Sequence, residues 1–158
     1  MKNYPIPIDW YCDDQTLNHM YKAHAGDAGF DICAAKDTEI ADKGPVSTGL
    51  HVAIPSGFVG IVKPRSGLTF NTGYNIGAGV IDSGYRGEIL VFVFASNSIA
   101  DGSMEPRRSD VLCFNKGDRI AQLVIVPVPE FQPQRVASLE QLGTTDRGQN
   151  GFGSSGGA

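Results

Sequence analysis

The C-terminal stretch RGQNGFGSSGGA combines residues that can bind an anion with residues that keep the chain pliable. Arg147 can place two parallel N–H donors on phosphate oxygens, and Ser154 and Ser155 add hydroxyl donors. Glycines such as Gly153 allow successive backbone N–H groups to converge on the same anion. Phe152 can stack on a nucleobase. The stretch therefore predicts a lid over a nucleotide, and its composition also leaves open a flexible tail without function.

A carboxylate stands at the end of an apolar segment in GVIDSGYRGEI. Asp82 follows Val80-Ile81 and precedes the turn residues Ser83-Gly84, three positions before the ring of Tyr85. A carboxylate in this position can act as a general base that activates water beside a bound sugar. An aspartate in a hairpin turn can also be purely structural, since its side chain bonds to nearby backbone groups. The segment alone leaves both interpretations open.

Two further segments carry polar groups that suit phosphates. In PRSGL, the side chains of Arg65 and Ser66 and the backbone amide of Gly67 could form an anion cradle. The alternative is that Ser66 caps a short helix. In KGDRIAQL, Gln122 follows a Gly-Asp turn and could either bind a ligand or serve packing.

The elements that must position these residues are strands. GLHVAIP alternates apolar and polar residues, and SGFVGIV, EILVFVFA and IAQLVIVPVP are also typical of strands. Glycine or proline interrupts each boundary, and no long stretch places apolar residues at helical spacing. Only the turn after Arg65 and ASLEQL near the end favour short helices. We therefore predict an all-β sandwich or barrel with very little helix.

Length and composition limit the remaining possibilities. The chain has 158 residues, of which 41% are hydrophobic, and this suits one domain with one core. Its net charge of -4 offers nucleic acid no long-range attraction, so an anionic ligand must be held locally. Three cysteines without CxxC spacing indicate reduced thiols. We expect a soluble, cytoplasmic protein with no membrane partner, because no segment approaches a membrane span.

The chain divides at Gly143. From this residue onward no apolar period remains, and six of the last sixteen residues are glycine. Such a segment cannot contribute to a core. We therefore predict a β domain over residues 1–142 and a flexible, glycine-rich arm over residues 143–158.

Five segments in order resemble the five sequence motifs of the trimeric dUTP pyrophosphatases (dUTPases). They are AGDAGFDICAA, PRSGL, GVIDSGYRGEI, GDRIAQLVI and RGQNGFGSSG, and they cover the chain from about Ala25 to its end. The resemblance implies a jelly-roll-like β-barrel and a homotrimer whose active sites lie between subunits, each closed by a C-terminal arm. It also implies Mg²⁺-assisted hydrolysis of dUTP to dUMP and pyrophosphate. This reaction keeps uracil out of DNA and supplies dUMP for thymidylate synthesis.

The resemblance also implies roles for individual residues. Asp82 matches the general base that deprotonates the water attacking the α-phosphate. Tyr85 matches the ring that packs on the deoxyribose and leaves no room for a ribose 2′-hydroxyl. The remaining substrate contacts fall into three groups: Ile76, Gly77, Gly79 and Val80 in a hairpin that reads uracil with its backbone; Arg65, Ser66, Gly67 and Gln122 on the phosphates; and Arg147, Phe152, Gly153, Ser154 and Ser155 in the arm.

Asp31 and Gln122 match family positions that hold waters of the Mg²⁺ shell. Mg²⁺ usually keeps several waters and is bound through one or two carboxylates plus substrate phosphates. The resemblance therefore implies a metal that arrives with the nucleotide, and no carboxylate cage is expected.

The segment over residues 95–114 is several residues longer than the usual link between the third and fourth family motifs. Gly102, Pro106 and Arg107-Arg108 within it are typical of an exposed loop. A tolerated insertion and a binding site for a regulatory protein both account for it, since some phage members of the family carry an insertion here and bind regulatory proteins.

Two other functions compete with dUTP hydrolysis. A dCTP deaminase shares the fold and a similar segment around Asp82, but it needs a catalytic glutamate where this chain has Phe92. Glu88 is the nearest acid and lies earlier in the chain. The second competitor is a regulatory protein that senses dUTP without turnover. The complete set of matching site residues argues against lost catalysis.

Overall fold

The described residues of a computed structural model are 5–95, 111–146 and 148–149. Their regular secondary structure is almost entirely β-strand, with one short α-helix and one 3₁₀ turn. The elements are β1 (Asp9–Cys12), β2 (Gly29–Cys33), β3 (Thr38–Ile40), β4 (Lys43–Val46), β5 (Leu50–Ala53), β6 (Phe58–Pro64), α1 (Ser66–Thr72), β7 (Tyr74–Gly77), β8 (Val80–Ile81), β9 (Val91–Ala95), β10 (Leu112–Phe114), β11 (Arg119–Pro127) and a 3₁₀ turn at Leu139–Leu142. The all-β prediction with very little helix is confirmed.

The strands assemble into antiparallel sheets of jelly-roll-like topology. The largest has the order β2-β11-β6-β8, and a second has the order β4-β9-β7. Two-stranded pairs form between β1 and β5 and between β3 and β10. Strands far apart in sequence are neighbours in every sheet, and one hydrophobic core joins the sheets. The four strand segments predicted from sequence all form strands, although β9 begins only after residues 88–90.

The core is built from the inward faces of both larger sheets together with those of β3, β5 and β10 from the two-stranded pairs. β5 shows the expected alternation, with Leu50 and Val52 buried and their neighbours half-buried. The ring of Tyr74 is fully buried and packs edge-on against Phe114, with the ring centroids 5.9 Å apart. Its hydroxyl donates to the carbonyl of Ile120, and burial raises the pKa of Tyr74 to about 12. The buried hydroxyl of Tyr74 therefore has a hydrogen-bond acceptor inside the core.

The chain changes sheets between β7 and β8. β7 pairs with β9, whereas β8 pairs with β6, so the hairpin expected over residues 76–80 is wrong. Ala78 adopts a positive φ of 50°, and the carbonyl of Gly79 accepts the N–H of Val62 at 2.7 Å. A Cβ atom at Gly79 would lie 2.5 Å from the carbonyl oxygen of Val62. The crossing therefore requires glycine at this position.

The helix α1 begins with Ser66 as its first helical residue. Arg65 occupies the N-cap position in extended conformation, and no side chain caps the helix. The alternative in which Ser66 is the cap is therefore wrong. Gly73 ends the helix at a φ of 67° and donates its N–H to the carbonyl of Thr69 at 2.8 Å. The short helical turn predicted in ASLEQL is confirmed as the 3₁₀ turn.

Two other sequence expectations can be compared with the fold. The three cysteines, Cys12, Cys33 and Cys113, are free thiols, as predicted. Within the described parts of the chain, no helix combines the length and apolar character needed to cross a membrane.

We expect Gly79→Ala to lower the free energy of unfolding by about 1–3 kcal/mol, the usual cost of overpacking, because backbone atoms must shift to admit the methyl group. Urea denaturation monitored by circular dichroism measures the change. Gly26→Ala is the matched control, since a Cβ there meets nothing within 4 Å. Equal denaturation midpoints for the two variants would contradict the claim that the crossing from β7 to β8 requires glycine at position 79.

Candidate active site

The central strand β11 places two polar side chains side by side. Gln122 lies directly opposite Asp31 on β2 and Lys63 on β6. Directly opposed residues in an antiparallel pair point to the same face of the sheet. The amide nitrogen of Gln122 donates to the carbonyl of Pro64 at 3.1 Å. A Cβ atom at Gly29 would lie only 2.6 Å from Oε1 of Gln122, so glycine on β2 makes room for this side chain.

Asp31 is the centre of an ion cluster with two arginines. Its Oδ1 lies 3.1 Å from Nε of Arg65, and its Oδ2 accepts a hydrogen bond from Nη1 of Arg119 at 3.2 Å. Only 14% of the aspartate side chain is exposed, against 34% for Arg65 and 46% for Arg119. Two cations around one carboxylate leave one positive charge in excess. That excess, partly open to solvent, favours an anionic ligand.

A bulge at the start of β11 brings Arg119 to this cluster. Arg119 pairs with Cys33 and Ala121 pairs with Ile32, so the register shifts between Arg119 and Ala121. Without the shift, strand alternation would place Arg119 and Gln122 on opposite faces. The extra residue of a bulge redirects the side chains that precede it. Sequence analysis missed Arg119 because strict alternation gives no sign of such a shift.

The first turn of α1 completes the same cleft. Ser66 and Gly67 are exposed, and the space above Gly67 is open, with no atom within 4 Å of a Cβ placed there. The first N–H groups of a helix have no carbonyl partner within the helix. Hydroxyl and amide donors thus line the same cleft as the arginine pair, and their role as an anion cradle stays a prediction.

These groups line one open cleft of about 430 Å³. The structure therefore brings together five residues predicted from sequence, and it adds Arg119, Lys22 and Asn71 to the walls. The five predicted residues are Asp31, Arg65, Ser66, Gly67 and Gln122.

The predicted base and sugar contact lie away from this cleft within the chain. Asp82 is exposed and lines a separate cavity together with residues 56–59 and 128–130. Ile81, next to Asp82, pairs with Gly60 on β6, five residues before Arg65. At about 3.3 Å per residue, five residues correspond to about 17 Å along the strand. One chain therefore does not bring the predicted base to the predicted phosphate cradle.

The segment predicted to read uracil lies where β7 passes into β8. Ile76 and Gly77 pair with Val93 and Phe92 on β9, and Val80 is 66% exposed on β8. A Cβ atom at Gly77 would lie 3.4 Å from the ring of Phe92. Packing within the chain therefore accounts for Gly79, where a Cβ would meet the backbone of Val62, but a Cβ at Gly77 would make only an ordinary contact. The predicted role of both glycines in uracil binding stays a prediction.

The predicted arm contacts Arg147, Phe152, Gly153, Ser154 and Ser155 lie outside the described residues, as do residues 96–110 of the long loop. Residues 143–146 and 148–149 are exposed, with Gly143 and Gly148 at positive φ values of 82° and 53°. The roles of the arm and of the loop stay predictions.

The donor set of the cleft fits a hydrated magnesium ion. No group of three or more histidine, cysteine, aspartate or glutamate side chains that could hold a metal occurs among the described residues. The cleft instead offers the carboxylate of Asp31 beside the amide of Gln122. Oxygen donors of this kind suit a Mg²⁺ ion that keeps its waters and is held mainly by phosphates.

The fold and the cleft define an all-β protein with an open, arginine-lined polar cleft on an acidic chain. The family model for dUTPase matches residues 16–156. The chain therefore belongs to the dUTPase family of enzymes.

Similar proteins support this assignment. A deoxyuridine 5′-triphosphate nucleotidohydrolase of Mycobacterium sp. (strain JLS) is 42% identical over 150 residues, which is 91% of each chain. The corresponding protein of Cutibacterium acnes is 43% identical over 140 residues, or 85% of this chain and 82% of the relative.

Solved structures of phage proteins have the same fold. A Staphylococcus bacteriophage 80alpha dUTPase with dUpNHpp matches at a TM-score of 0.80 and 29% identity, over 95% of this chain and 98% of that one. A mutant dUTPase of phage phi11 of S. aureus with a structural Mg(II) ion matches at a TM-score of 0.72 and 28% identity, over 85% and 99%. The phage 80alpha work describes dUTPases that control transfer of virulence genes by a G protein-like mechanism.

We expect Arg65→Met to weaken binding of inorganic triphosphate about 10- to 100-fold, because it removes charge-assisted hydrogen bonds worth about 1.5–3 kcal/mol. Isothermal titration calorimetry measures the affinity. Arg135→Met is the control, since Arg135 is exposed and outside the cleft. If both variants bind triphosphate equally well, Arg65 is not part of an anion site.

Proposed function

We propose that this protein hydrolyses dUTP to dUMP and pyrophosphate, so that uracil is kept out of DNA and dUMP is supplied for thymidylate synthesis. The observation that carries the proposal is the cleft in which Asp31, Arg65 and Gln122 meet the first turn of α1. It offers a triphosphate chain several donors and an excess positive charge. Family membership and relatives that bear the name of this activity support the choice of nucleotide.

The phosphate chain would bind in the cleft through Arg65, Ser66, the amide of Gly67 and Gln122. In the structure, Nε of Arg65 faces the carboxylate of Asp31 at 3.1 Å. A phosphate oxygen can compete for the guanidinium, because both anions accept the same forked N–H donors. Arg119 would then keep Asp31 paired, so that no buried carboxylate is left without a cation.

Asp82 would act as the general base. Its carboxylate takes a proton from water as the water oxygen bonds to the α-phosphorus, and the bond to the bridging oxygen breaks to release pyrophosphate. Its exposure supports this role, because water can reach it. Tyr85 would pack against the deoxyribose and exclude a 2′-hydroxyl. The backbone over residues 76–80 would bind the uracil edge, where fixed donors and acceptors reject other bases.

Asp31 and Gln122 would hold Mg²⁺ through waters, while the substrate phosphates hold the ion itself. When bound, the ion neutralises charge on the phosphates and on the leaving pyrophosphate. The hydrogen-bond donors of the protein would fix the position of the triphosphate that carries the ion.

The C-terminal arm would close over the bound nucleotide. Arg147, Ser154 and Ser155 would contact the γ-phosphate, and Phe152 would stack on uracil, with Gly153 permitting close approach. Such stacking contributes about 1–3 kcal/mol. Ordering a glycine-rich segment offsets part of this gain, so closure would need the full triphosphate.

The working unit would be a homotrimer with active sites between subunits. The separation of about 17 Å along β6 supports this assembly, because Asp82 of one chain can meet the cradle of another. Apolar side chains exposed after β11 also favour burial against other copies. Their exposed fractions are 45% for Val128, 79% for Phe131, 56% for Leu139 and 68% for Leu142.

A dCTP deaminase is not favoured. The position that would need a catalytic glutamate holds Phe92, whose ring packs beside Gly77. Glu88 accepts the Ser47 hydroxyl at 2.6 Å and the backbone N–H of Gly49 at 2.8 Å. A carboxylate held in this way is a poor proton shuttle.

A second role as a regulator is supported by one observation only. Phage 80alpha dUTPases are described as controlling gene transfer by a G protein-like mechanism. The long loop would bind the partner protein in that case, and it joins β9 and β10, which belong to different sheets. Deletion of residues 101–109 that leaves every partner in a pull-down unchanged would exclude this role.

We expect Asp82→Asn to reduce kcat for dUTP about 10²- to 10⁴-fold, the usual contribution of a general base, while the affinity for dUpNHpp stays within about threefold. Pyrophosphate release and calorimetry measure the two quantities. Asp42→Asn is the control, since Asp42 is exposed and outside the cavities described above. Turnover at the control's level would remove Asp82 as the base.

Shared sites between chains predict complementation. Refolding Asp82→Asn together with Arg65→Met should restore up to about a quarter of wild-type activity, since one site in four receives both intact residues by chance. Asp82→Asn mixed with Tyr85→Ala should restore none, because those residues lie in the same segment of the same chain. Equal activity in the two mixtures would place the whole site within one chain.

A further inference from the structure

The segment that carries Asp82 and Tyr85 has no regular secondary structure to hold it. Residues 82–90 link β8, in one sheet, to β9, in another. Arg86 closes the turn by donating from Nη1 to the carbonyls of Ser83 and Tyr85, each at 2.7 Å. The turn is thus organised internally, but its position on the barrel must be fixed by other contacts.

Glu88 attaches this segment to the corner between β4 and β5. Its Oε1 accepts the hydroxyl of Ser47 at 2.6 Å, the N–H of Thr48 at 2.9 Å and the N–H of Gly49 at 2.8 Å. Burial opposes ionisation of Glu88, but these three donors outweigh it and hold the pKa of the carboxyl below its ordinary value. A carboxylate with three donors is a strong, well-defined attachment.

Neighbouring bonds reinforce the same attachment. The N–H of Ile89 donates to the carbonyl of Leu50 at 2.8 Å, and the hydroxyl of Thr48 donates to the carbonyl of Ile89 at 2.6 Å. Nδ1 of His51 lies 2.9 Å from the carbonyl oxygen of Arg86. The backbone over residues 86–89 is therefore fixed along one side of β5.

The attached backbone in turn holds the ring of Tyr85. Its hydroxyl donates to the carbonyl of Glu88 at 2.9 Å, and its N–H donates to the carbonyl of Asp82 at 3.0 Å. The ring lies across Gly87, where a Cβ atom would be 2.4 Å from the tyrosine oxygen. One residue, Glu88, therefore binds the barrel with its side chain and Tyr85 with its backbone.

We propose that Glu88 is the positioning residue for Tyr85, and that its attachment to the turn at residues 47–49 sets the discrimination between deoxyribose and ribose. This inference rests on the proposed hydrolysis of dUTP. Glu88 does not touch substrate; it fixes the carbonyl that orients the tyrosine ring, and the ring excludes the 2′-hydroxyl.

The test compares kcat/KM for dUTP with kcat/KM for UTP in several variants. Glu88→Ala and Tyr85→Phe should each lower the dUTP-to-UTP ratio about tenfold or more, since small misplacements of positioning groups have effects of this size. Glu88→Gln keeps an oxygen acceptor for the three donors and should retain the ratio within about threefold. Glu39→Gln, on the exposed side of β3, is the matched control and should leave it unchanged.

A purely structural role makes a different prediction. It would lower the thermal unfolding midpoint of Glu88→Ala without changing the ratio, and that result overturns the proposal. If Glu88→Ala does not fold, Ser47→Ala removes one of the three bonds and should lower the ratio about threefold. Unchanged ratios in both Ser47→Ala and Tyr85→Phe would then overturn it.

Amide hydrogen exchange separates this inference from the proposed function. Exchange over residues 85–89 should be faster in Ser47→Ala than in the wild type, whether or not dUTP is a substrate. A wild-type protein that does not hydrolyse dUTP would refute the proposed function by itself. Exchange that stays unchanged in Ser47→Ala would refute the attachment by Glu88, even in a fully active enzyme.

Discussion

The pairing of β11 with both β2 and β6 is the constraint on which the arginine-lined cleft depends. It sets Gln122 between Asp31 and Lys63, and the bulge at its start turns Arg119 to the same face. A slip of one residue would send each of these side chains to the other face. The register is specified because Ile120, Ala121 and Leu123 of β11 are fully buried, so a slip would expose part of the core. The burial of these core residues thus determines on which face of the sheet the polar side chains of the cleft lie.

The ion cluster at Asp31 gives the cleft an excess positive charge. The energetic cost is that a carboxylate must be held in a mostly buried position. A carboxylate that is mostly buried is tolerated when cations and hydrogen bonds compensate its lost hydration, and removing one partner of such a pair is strongly destabilising. With two arginines present, one can turn to a phosphate while the other remains on Asp31. In the proposed function, the second arginine would therefore keep the mostly buried carboxylate of Asp31 paired when Arg65 binds a phosphate.

Sequence reasoning predicted the strands, the short helix and five cleft residues, because each depends on local pattern or on the five-motif resemblance. It missed Arg119, since a bulge leaves no mark in alternation, and it wrongly expected a hairpin over residues 76–80. In that segment Gly77 and Gly79 flank Ala78, and glycines so close together are typical of a hairpin turn. The partners of its strands are β9 and β6, which lie far along the chain in either direction. The pairing of β7 and β8 with strands distant in sequence therefore outweighed the local turn preference of the glycines.

The two parts of the site are held by different means. The arginine-lined cleft belongs to the sheet formed by β2, β11 and β6, and β11 is hydrogen-bonded to a strand on each side. The segment with Asp82 and Tyr85 has no ladder and relies on the hydrogen bonds of Glu88 to the corner of β4 and β5. A few side-chain bonds open more readily than a sheet. Displacements of the proposed base and the proposed sugar contact would therefore arise first in this segment, while the arrangement of the arginine-lined cleft stays intact.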